Sequence, residues 1–373
     1  MFLALKEMNR AKARFGGLMA AVGLLVFLIL FQQTLQNGLI DAFVGGIEKQ
    51  SAPVLVYSVD GQRTLQSSVI TPELQAAVEA VPEIGRSAPI GIGTFSTTTD
   101  GALSSATLFA YTEVGLGSPT TLAEGRLPEA AGEAVASTTG GEIAYAVGDT
   151  LVIEPGGEEL TVVGLAEEAA LFATSTMYVT WPTYESAVAS SNPDARAPLP
   201  SVLGIEPAAG VTAEGAVAAV NAASLDADAL TRQQAADETP GVAQIKQSFQ
   251  IIFLLYGLVV PFVTGLFFLI ITFQKAGSLT LLHAIGAPSK RLVAALLVQV
   301  VAVIGVGLAI GIALYAPVAN ADIGGIALRF QTTAVIGWSV LLLVLGVLSA
   351  LLSAKRVLAI DPIDAMHGQG LGT

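Results

Sequence analysis

Four long apolar segments stand out along the chain, one near its beginning and three close together near its end. Each has about 20 residues or more, so an α-helix rising about 1.5 Å per residue could cross a hydrocarbon core of about 30 Å. The pattern therefore predicts four transmembrane helices with a long mixed segment between the first two. The apolar segments are Phe15–Leu35, Phe249–Phe273, Leu292–Pro317 and Thr333–Ala354.

The first apolar segment follows a basic stretch, as the core of a secretory signal peptide does. Its apolar core is longer than such peptides need, and Gln32-Gln33-Thr34 stands where a small-residue cleavage site is expected. We therefore expect a retained transmembrane helix. Before it, residues 1–14 mix apolar and basic side chains, which predicts an amphipathic helix on the inner membrane surface.

Beyond Phe31 the first helix becomes mixed, because glutamine, asparagine and acidic residues alternate with apolar ones. Asp41 and Glu48 are seven positions apart, so they share one face of a helix. We expect the helix to continue beyond the membrane as an amphipathic stalk that packs on a neighbour.

Residues 49–245 change to short alternating segments separated by turn signals. Val54–Val59 predicts a strand, and Asp60-Gly61 predicts a hairpin turn after it. Thr71, followed by a proline, predicts a helix N-cap. The polar segment 226–240 is expected to be a connector that returns the chain to the membrane. Short strands mixed with short helices indicate an α+β domain.

The predicted fold class is thus a membrane protein of four transmembrane helices, arranged one plus three, with a large extracytoplasmic α+β domain inserted between helices 1 and 2. The predicted boundaries are 1–14 for the amphipathic segment, 15–48 for helix 1 and its stalk, 49–245 for the inserted domain, 246–274 for helix 2, 275–291 for a cytoplasmic loop, 292–317 for helix 3, 318–332 for an outer loop, 333–354 for helix 4 and 355–373 for a cytoplasmic tail.

The charges predict the orientation of the chain in the membrane. The short flanks of the apolar segments hold nine basic residues against three acidic ones, whereas the remainder holds eight basic and 27 acidic residues. Lys and Arg concentrate on the cytoplasmic side of membrane proteins. Both termini and the loop at 275–291 are therefore expected inside the cell, in the plasma membrane, with residues 49–245 outside. The acidic domain offers no basic face to nucleic acid.

Several kinds of chemistry are excluded by the residues present. The chain has no Cys, and its two His residues, His283 and His367, fall in segments predicted to be cytoplasmic. A histidine cluster outside the membrane is therefore excluded. The chain also lacks the GxxxxGK[ST], HExxH and GxSxG motifs, so we expect neither ATP binding through a P-loop nor a common hydrolase site.

The loop KAGSLTLLHAIGAPSKRL after the second apolar segment is the most specific local signal. Ser278–Ile285 can form about two helical turns with one apolar side, and Gly286-Ala287-Pro288 would end them. Such a short helix suits a cytoplasmic partner; alternatively, it rests on the inner lipid surface. In the third apolar segment, Gly307 and Gly311 form a small-xxx-small pair. This pair predicts either a moving contact between helices or static packing.

Two segments together resemble the permeases of the MacB/FtsX type, also called type VII ABC transporters. The loop "LxxLHAIGAPSKRL" is similar to the coupling segment of that family, and the tail "RVLAIDPIDAM" is similar to its ending after the fourth helix. In the inserted domain, Leu122–Pro128, Gly132-Glu133, Val147–Leu151 and Leu160–Gly164 resemble its "l.eGr.p…gE…vGdtl…f.vvGi" pattern.

The resemblance implies a permease subunit that is not itself an enzyme. ATP and Mg would be bound by a separate cytoplasmic ABC ATPase, and the permease would be a homodimer in membrane lipid. Closure of the ATPases would be carried through helices 1 and 2 to the outer domain, which is called mechanotransmission. The residues that would contact the ATPase are Ser278, Leu279, Leu282, His283, Ile285, Gly286 and Ala287.

Shorter matches, MFLALKEM, Gln244–Phe253 and DPIDAMHG, resemble the haem-efflux permeases of that family. They imply haem as the exported substrate, with no intrinsic cofactor. Because Cys and His are absent from the outer side, haem iron would need Tyr, Met or a carboxylate as its ligand. Glu48, Asp41 and Tyr256 are the candidates, with Glu48 as the possible iron ligand; alternatively, Glu48 is simply solvated.

Other activities stay open at this point. The cargo could be an antimicrobial peptide, an antibiotic or a lipid-linked molecule. The chain could also be a regulator of a cell-wall hydrolase, of the FtsX kind, that moves no cargo.

Overall fold

A computed structural model describes residues 11–141, 143–274 and 289–358. The chain divides into two compact units. The first, here called the membrane unit, comprises the described residues within Met1–Leu35, Ser248–Ala321 and Leu328–Thr373. The second, here called the inserted unit, comprises the described residues within Gln36–Gln247 together with Asp322–Ala327.

The helices and strands follow one another along both units. The helices are α1 (Lys12–Glu48), α2 (Pro72–Glu79), α3 (Trp181–Ser191), α4 (Ala213–Ala223), α5 (Arg232–Asp237), α6 (Val242–Gln274), α7 (Ser289–Tyr315) and α8 (Thr332–Leu358), with a 3₁₀ turn at Val59–Gly61. The strands are β1 (Val54–Ser58), β2 (Ile84–Thr99), β3 (Ala102–Tyr111), β4 (Leu122–Gly125), β5 (Glu133–Ser137), β6 (Thr150–Glu154), β7 (Glu158–Ala166), β8 (Ser175–Thr180), β9 (Val202–Pro207), β10 (Ala227–Thr231), β11 (Asp322–Ile323) and β12 (Ile326–Ala327).

Four of these helices are long and apolar enough to cross a membrane, and they correspond to the four apolar segments of the sequence, of which the third extends two residues beyond the end of α7. Among the described residues, the apolar stretches lie within Lys12–Glu48, Val242–Val259, Leu297–Tyr315 and Thr332–Ser349. The fold class predicted from the sequence, four apolar helices with a large domain inserted after the first, is therefore confirmed. Of the amphipathic segment at 1–14, only residues 11–14 are described, and α1 already begins at Lys12.

The inserted unit is built on one large sheet. Its strand order is β10-β1-β9-β2-β3-β8-β5-β7-β4, and β6 pairs with both β2 and β7. The pairs β3–β8 and β5–β7 are parallel, and the other pairs are antiparallel. Apolar side chains on both sheet faces form separate buried clusters, one of them around Tyr57 and Phe109 and another around Val56 and Leu203. The sheet is therefore covered on both faces, as expected for an α+β domain.

Several local predictions are confirmed by hydrogen bonds in this unit. The hydroxyl of Thr71 accepts a bond of 3.2 Å from the amide of Leu74, as an N-cap does, and Pro72 is the first helical residue. Thr231 and Gln234 form a capping box at the start of α5.

One prediction for the inserted unit was wrong. Asp60-Gly61 is not a hairpin turn: it lies in a 3₁₀ turn, and β1 pairs with the distant strands β9 and β10. The apolar side chains of β1 are covered by those partners, which lie far along the chain. The segment 226–240 contains β10 and α5, and the apolar helix α6 follows it.

In the membrane unit, α1 and α7 pack closely through glycines. A Cβ atom added at Gly311 would lie 2.6 Å from Cβ of Val26, and one added at Gly307 would lie 2.6 Å from Cγ1 of Val22. The hydroxyl groups of Thr34 and Tyr315 form a buried hydrogen bond of 2.5 Å between the same two helices. Gly307 and Gly311 therefore lie in a close helix–helix contact, as small-xxx-small pairs do in membranes.

We expect Gly311→Leu to destabilise the chain by about 1–3 kcal/mol, because the larger side chain would overpack the contact between α1 and α7. The thermal unfolding midpoint of the full chain in detergent measures this. Gly305→Leu in the same helix is the control, since a Cβ atom there meets nothing within 4 Å. Equal midpoints for the two variants would contradict the prediction.

Candidate functional site

The last turns of α1 are joined to the loop between β7 and β8 by backbone hydrogen bonds. The amide of Gly46 donates to the carbonyl of Ala170 at 2.7 Å, and the amide of Phe172 donates to the carbonyl of Phe43 at 2.9 Å. The rings of Phe43 and Phe172 meet edge to face, with centroids 5.7 Å apart. We call this contact, formed by Ala42–Gly46 and Glu167–Thr174, the helix–loop joint.

Glycines bring the two sides of the helix–loop joint together. A Cβ atom at Gly45 would lie 2.3 Å from the carbonyl oxygen of Glu168, and one at Gly46 would lie 2.5 Å from Cγ of Leu171. Neither distance is possible for a real side chain without movement, so the close approach depends on both glycines.

The loop side of the joint holds strained backbone. Glu168, Phe172 and Ala173 have φ angles of 51°, 54° and 54°, a region that residues other than glycine, asparagine and aspartate rarely adopt. Such conformations persist only where the surroundings impose them, and they concentrate at functional positions. The joint is thus a fitted contact between the helix and the domain.

Asp41 and Glu48 lie on α1 beside this joint, and both are half-buried. The charged groups that act on Asp41 are Glu48, Glu168 and Lys49. Those that act on Glu48 are Lys49, Asp237, Lys246 and Arg232, and Asp237 itself pairs with Lys246 at 2.5 Å. The two carboxylates therefore lie in one partly enclosed, charged environment at the end of α1.

Tyr256, the third candidate for haem binding, lies on α6 in the membrane unit. It is partly buried against the apolar cluster that includes Phe15, Ile29 and Tyr315. The candidates thus divide between the two units, with Asp41 and Glu48 in the inserted unit. Within the described residues, no group of three or more His, Cys, Asp and Glu side chains could hold a metal ion.

The residues predicted to contact an ATPase all fall in one segment. Ser278, Leu279, Leu282, His283, Ile285, Gly286 and Ala287 lie outside the described residues. Their role stays a prediction.

Residues of the inserted domain that resemble the MacB/FtsX pattern are joined by hydrogen bonds. Nη1 and Nη2 of Arg126 donate to the carboxylate of Glu133, at 2.7 and 2.5 Å, and the amides of Glu129 and Ala130 donate to the same carboxylate. The guanidinium of Arg126, followed by these backbone amides, lowers the pKa of Glu133 to about 2. The network closes the loop between β4 and β5.

Gly125 in the same pattern is needed for a close approach. Its φ angle is 77°, and a Cβ atom there would lie 2.3 Å from the carbonyl oxygen of Val163 on β7. This part of the pattern therefore specifies how β4 joins the sheet, and nothing in it suggests chemistry.

A second connection, missed at the level of sequence, is made by the short hairpin of β11 and β12 between α7 and α8. The amide of Gly140 donates to the carbonyl of Gly325 at 3.0 Å. A Cβ atom at Gly38 would lie 2.7 Å from the carbonyl oxygen of Ala327. The hairpin thus contacts both α1 and the turn after β5 within the inserted unit. In the sequence, Gly324-Gly325 is the signal that could have predicted the turn of this hairpin.

In comparisons with known proteins, the chain is similar to transporter permeases. It is 36% identical over 110 residues to HrtB of Staphylococcus haemolyticus, named as a hemin transport system permease; this match covers 28% of the chain and 30% of HrtB. It is 24% identical over 381 residues, 99% of each protein, to an uncharacterised ABC transporter permease found in two strains of Mycobacterium tuberculosis. No protein-family model matches the chain.

Two solved structures are also similar to this chain. The extracellular domain of YknZ, a noncanonic ABC-type transporter from Gram-positive bacteria, matches with 11% identity and a TM-score of 0.34, covering 48% of this chain and 99% of that one. The periplasmic region of MacB from Actinobacillus actinomycetemcomitans matches with 12% identity and a TM-score of 0.35, covering 55% and 95%.

The chain is thus similar in sequence to transporter permeases, and four of its described helices are long and apolar enough to cross a membrane. This similarity agrees with the resemblance to permeases of the MacB/FtsX type that the sequence motifs indicated.

We expect Glu133→Gln to speed tryptic cleavage after Arg126, because the amide cannot hold the guanidinium as the carboxylate does. Mass spectrometry of the full chain after timed digestion at pH 8 measures the rate. Glu129→Gln is the control, since Glu129 contributes its backbone amide and its side chain forms no bond in the network. Equal rates for both variants would contradict the prediction.

The pKa of Glu133 also predicts a pH dependence of the free energy of unfolding. A carboxylate with a lowered pKa stabilises the fold above its ordinary pKa of 4.5, and this stabilisation is lost as the pH falls through about 2. Glu133→Gln lacks this carboxylate. Its free energy of unfolding, measured at a series of pH values, should therefore fall less between pH 4.5 and about 2 than that of the unaltered chain.

Proposed function

We propose that this chain is the permease subunit of an ATP-driven efflux pump that exports haem by mechanotransmission. In this proposal a separate cytoplasmic ABC ATPase binds ATP and Mg and hydrolyses ATP, and the permease acts as a homodimer with both termini inside the cell. The inserted unit faces the exterior.

The observation that carries the proposal is the helix–loop joint at the end of α1. A single unbroken helix runs from Lys12, just before the first apolar segment, to Glu48 in the inserted unit. Its last turns are bonded to the loop between β7 and β8 and cannot slide along it without clashes at Gly45 and Gly46. A displacement of this helix along its axis would therefore be passed to the domain as a movement of the loop.

The proposed homodimer is supported by the uneven burial of the apolar helices. In the apolar window of α6, 6% of residues are buried, compared with 39% in α1. The exposed apolar side chains of α6 include Leu254, Leu258 and Phe262. Lipid can cover such a face, and so can a second copy of the chain, because packing rather than apolar burial decides association in a bilayer.

Haem as the substrate is supported by the local match to HrtB and by the carboxylates beside the joint. Haem is amphipathic, so it can reach a site at the membrane surface from within the lipid. Glu48 and Asp41 are half-buried on the helix that would carry the movement, and an acidic group near the membrane on a partly buried face is costly and often functional. Glu48 is the proposed iron ligand, with Asp41 and Tyr256 as further candidates.

We expect haemin added to the purified chain to shift its Soret band, and Glu48→Ala to remove most of that shift, since the proposed ligand is lost. Glu214→Ala, an exposed carboxylate on α4, is the control for loss of one negative charge. The absence of a shift in the unaltered chain, or the same shift in Glu48→Ala, would contradict the haem site. Cells expressing the chain and its ATPase should be protected against haemin; protection only against an antimicrobial peptide would favour a peptide cargo.

The proposed transmission predicts that Gly45→Ala uncouples ATP hydrolysis from export. The added methyl group would push Glu168 away, at a cost of about 1–3 kcal/mol, and open the helix–loop joint. The complex with the ATPase should keep its basal ATPase activity and lose protection against haemin.

Gly17→Ala is the matched control for this test, because it lies on the same helix and its Cβ atom meets nothing within 4 Å. Full protection by Gly45→Ala, in a chain whose loop shows faster hydrogen exchange, would contradict transmission through the joint.

A further inference from the structure

The inserted unit contains a cavity that no part of the proposed transport function uses. Its volume is about 410 Å³, within the range of roughly 300–1,000 Å³ that is usual for small-molecule sites. It lies where the end of β1 meets the start of α2 and the turn before β10. Its walls are formed by residues from these three segments, among them Ser58, Asp60, Val69, Glu73, Leu74 and Asp226.

The walls of the cavity are held in place by hydrogen bonds. The amide of Val59 donates to the carbonyl of Asp226 at 2.9 Å, and the amide of Ser58 donates to the hydroxyl of Ser68 at 2.9 Å. On the third side, Thr71 caps α2. The cavity is therefore preformed, and a ligand would not have to order it.

The charged residues that line the cavity are all acidic, and no basic residue of the lining neutralises them. Asp60, Glu73 and Asp226 are exposed, and no Lys, Arg or His is among the lining residues. Within the described residues, none of these three carboxylates forms a hydrogen bond or an ion pair, whereas Asp228 and Glu133 in the same unit pair with arginines. The cavity thus favours a positively charged ligand.

The remaining lining is apolar, which distinguishes this cavity from a site for a bare ion. Leu74 forms a buried part of the wall, and Val59 and Val69 are each 47% exposed at it. Leu225, between the lining residues Ser224 and Asp226, is 93% exposed. Burying these side chains against an apolar body would be favourable, at about 25 cal/mol per Å².

A peptide strand added to the sheet is disfavoured at this end. β10 is the last strand of the sheet, but the side-chain amide of Asn221 donates to the carbonyl of Ala229 at 3.1 Å and accepts from its amide at 2.7 Å. These two backbone groups are the ones that an added strand would use. A ligand here would bind through the cavity rather than by extending the sheet.

We propose that this cavity binds an organic cation, an amine or guanidinium group joined to an apolar body. The carboxylates of Asp60, Glu73 and Asp226 hold the charge, and Val59, Val69 and Leu74 contact the apolar part. The site does not depend on which cargo the permease exports.

Calorimetric titration of the full chain in zwitterionic lipid nanodiscs tests this proposal, with empty nanodiscs subtracted. The probes are 4-phenylbutylamine and its neutral analogue 4-phenylbutan-1-ol. A second pair, acetyl-Leu-Lys-Leu-amide and acetyl-Leu-norleucine-Leu-amide, distinguishes a free amine from a lysine side chain of a peptide. We expect at least one cationic probe to bind more tightly than its neutral analogue and to weaken with salt.

The double variant Glu73→Gln/Asp226→Asn should raise the Kd of that probe about threefold to thirtyfold, since two ion pairs are lost. The control is Glu214→Gln/Asp194→Asn, which removes the same charge at exposed positions outside the lining. Binding of neither cation, equal binding of charged and neutral probes, or equal Kd values in both double variants would overturn the proposal.

Discussion

The close approach between the end of α1 and the loop after β7 fastens the sheet of the inserted unit to the last turns of this helix. Two adjacent glycines let a carbonyl and a leucine side chain lie against the helix, and three residues of the loop adopt left-handed backbone to reach it. Strain of this kind persists only where many neighbouring contacts oppose relaxation. The loop is anchored by β7 on one side and by β8 on the other, so the sheet itself supplies those contacts.

The pattern shared with MacB/FtsX-type permeases has a structural meaning in this domain. Arg126 and Glu133 close a loop, and Gly125 allows β4 to lie on β7. These groups fix how β4 and the loop after it lie on the sheet. The carboxylates on which the two proposals rest lie elsewhere, beside the joint and around the cavity.

The sequence predicted the apolar helices and the α+β class because hydropathy and helix caps are local properties. Thr71 and Pro72 mark a helix start whatever surrounds them, and 20 apolar residues cross a membrane whatever follows. The prediction of a hairpin at Asp60-Gly61 was wrong for the opposite reason. Whether β1 turns back on its neighbour or pairs with β10 depends on which strand covers its apolar residues, and those strands are far apart in the chain.

In the candidate site, too, some features followed from the sequence and others only from the tertiary structure. Charge and spacing in the sequence identified Asp41 and Glu48 as carboxylates on one helix face, and the absence of Cys restricted the possible ligands. Only the tertiary structure decided what surrounds them, because Glu168, Arg232 and Lys246 reach this helix through the fold of the inserted unit. The cavity and the helix–loop joint also arise only when distant segments meet, since neither a volume nor a close approach is a property of any one segment.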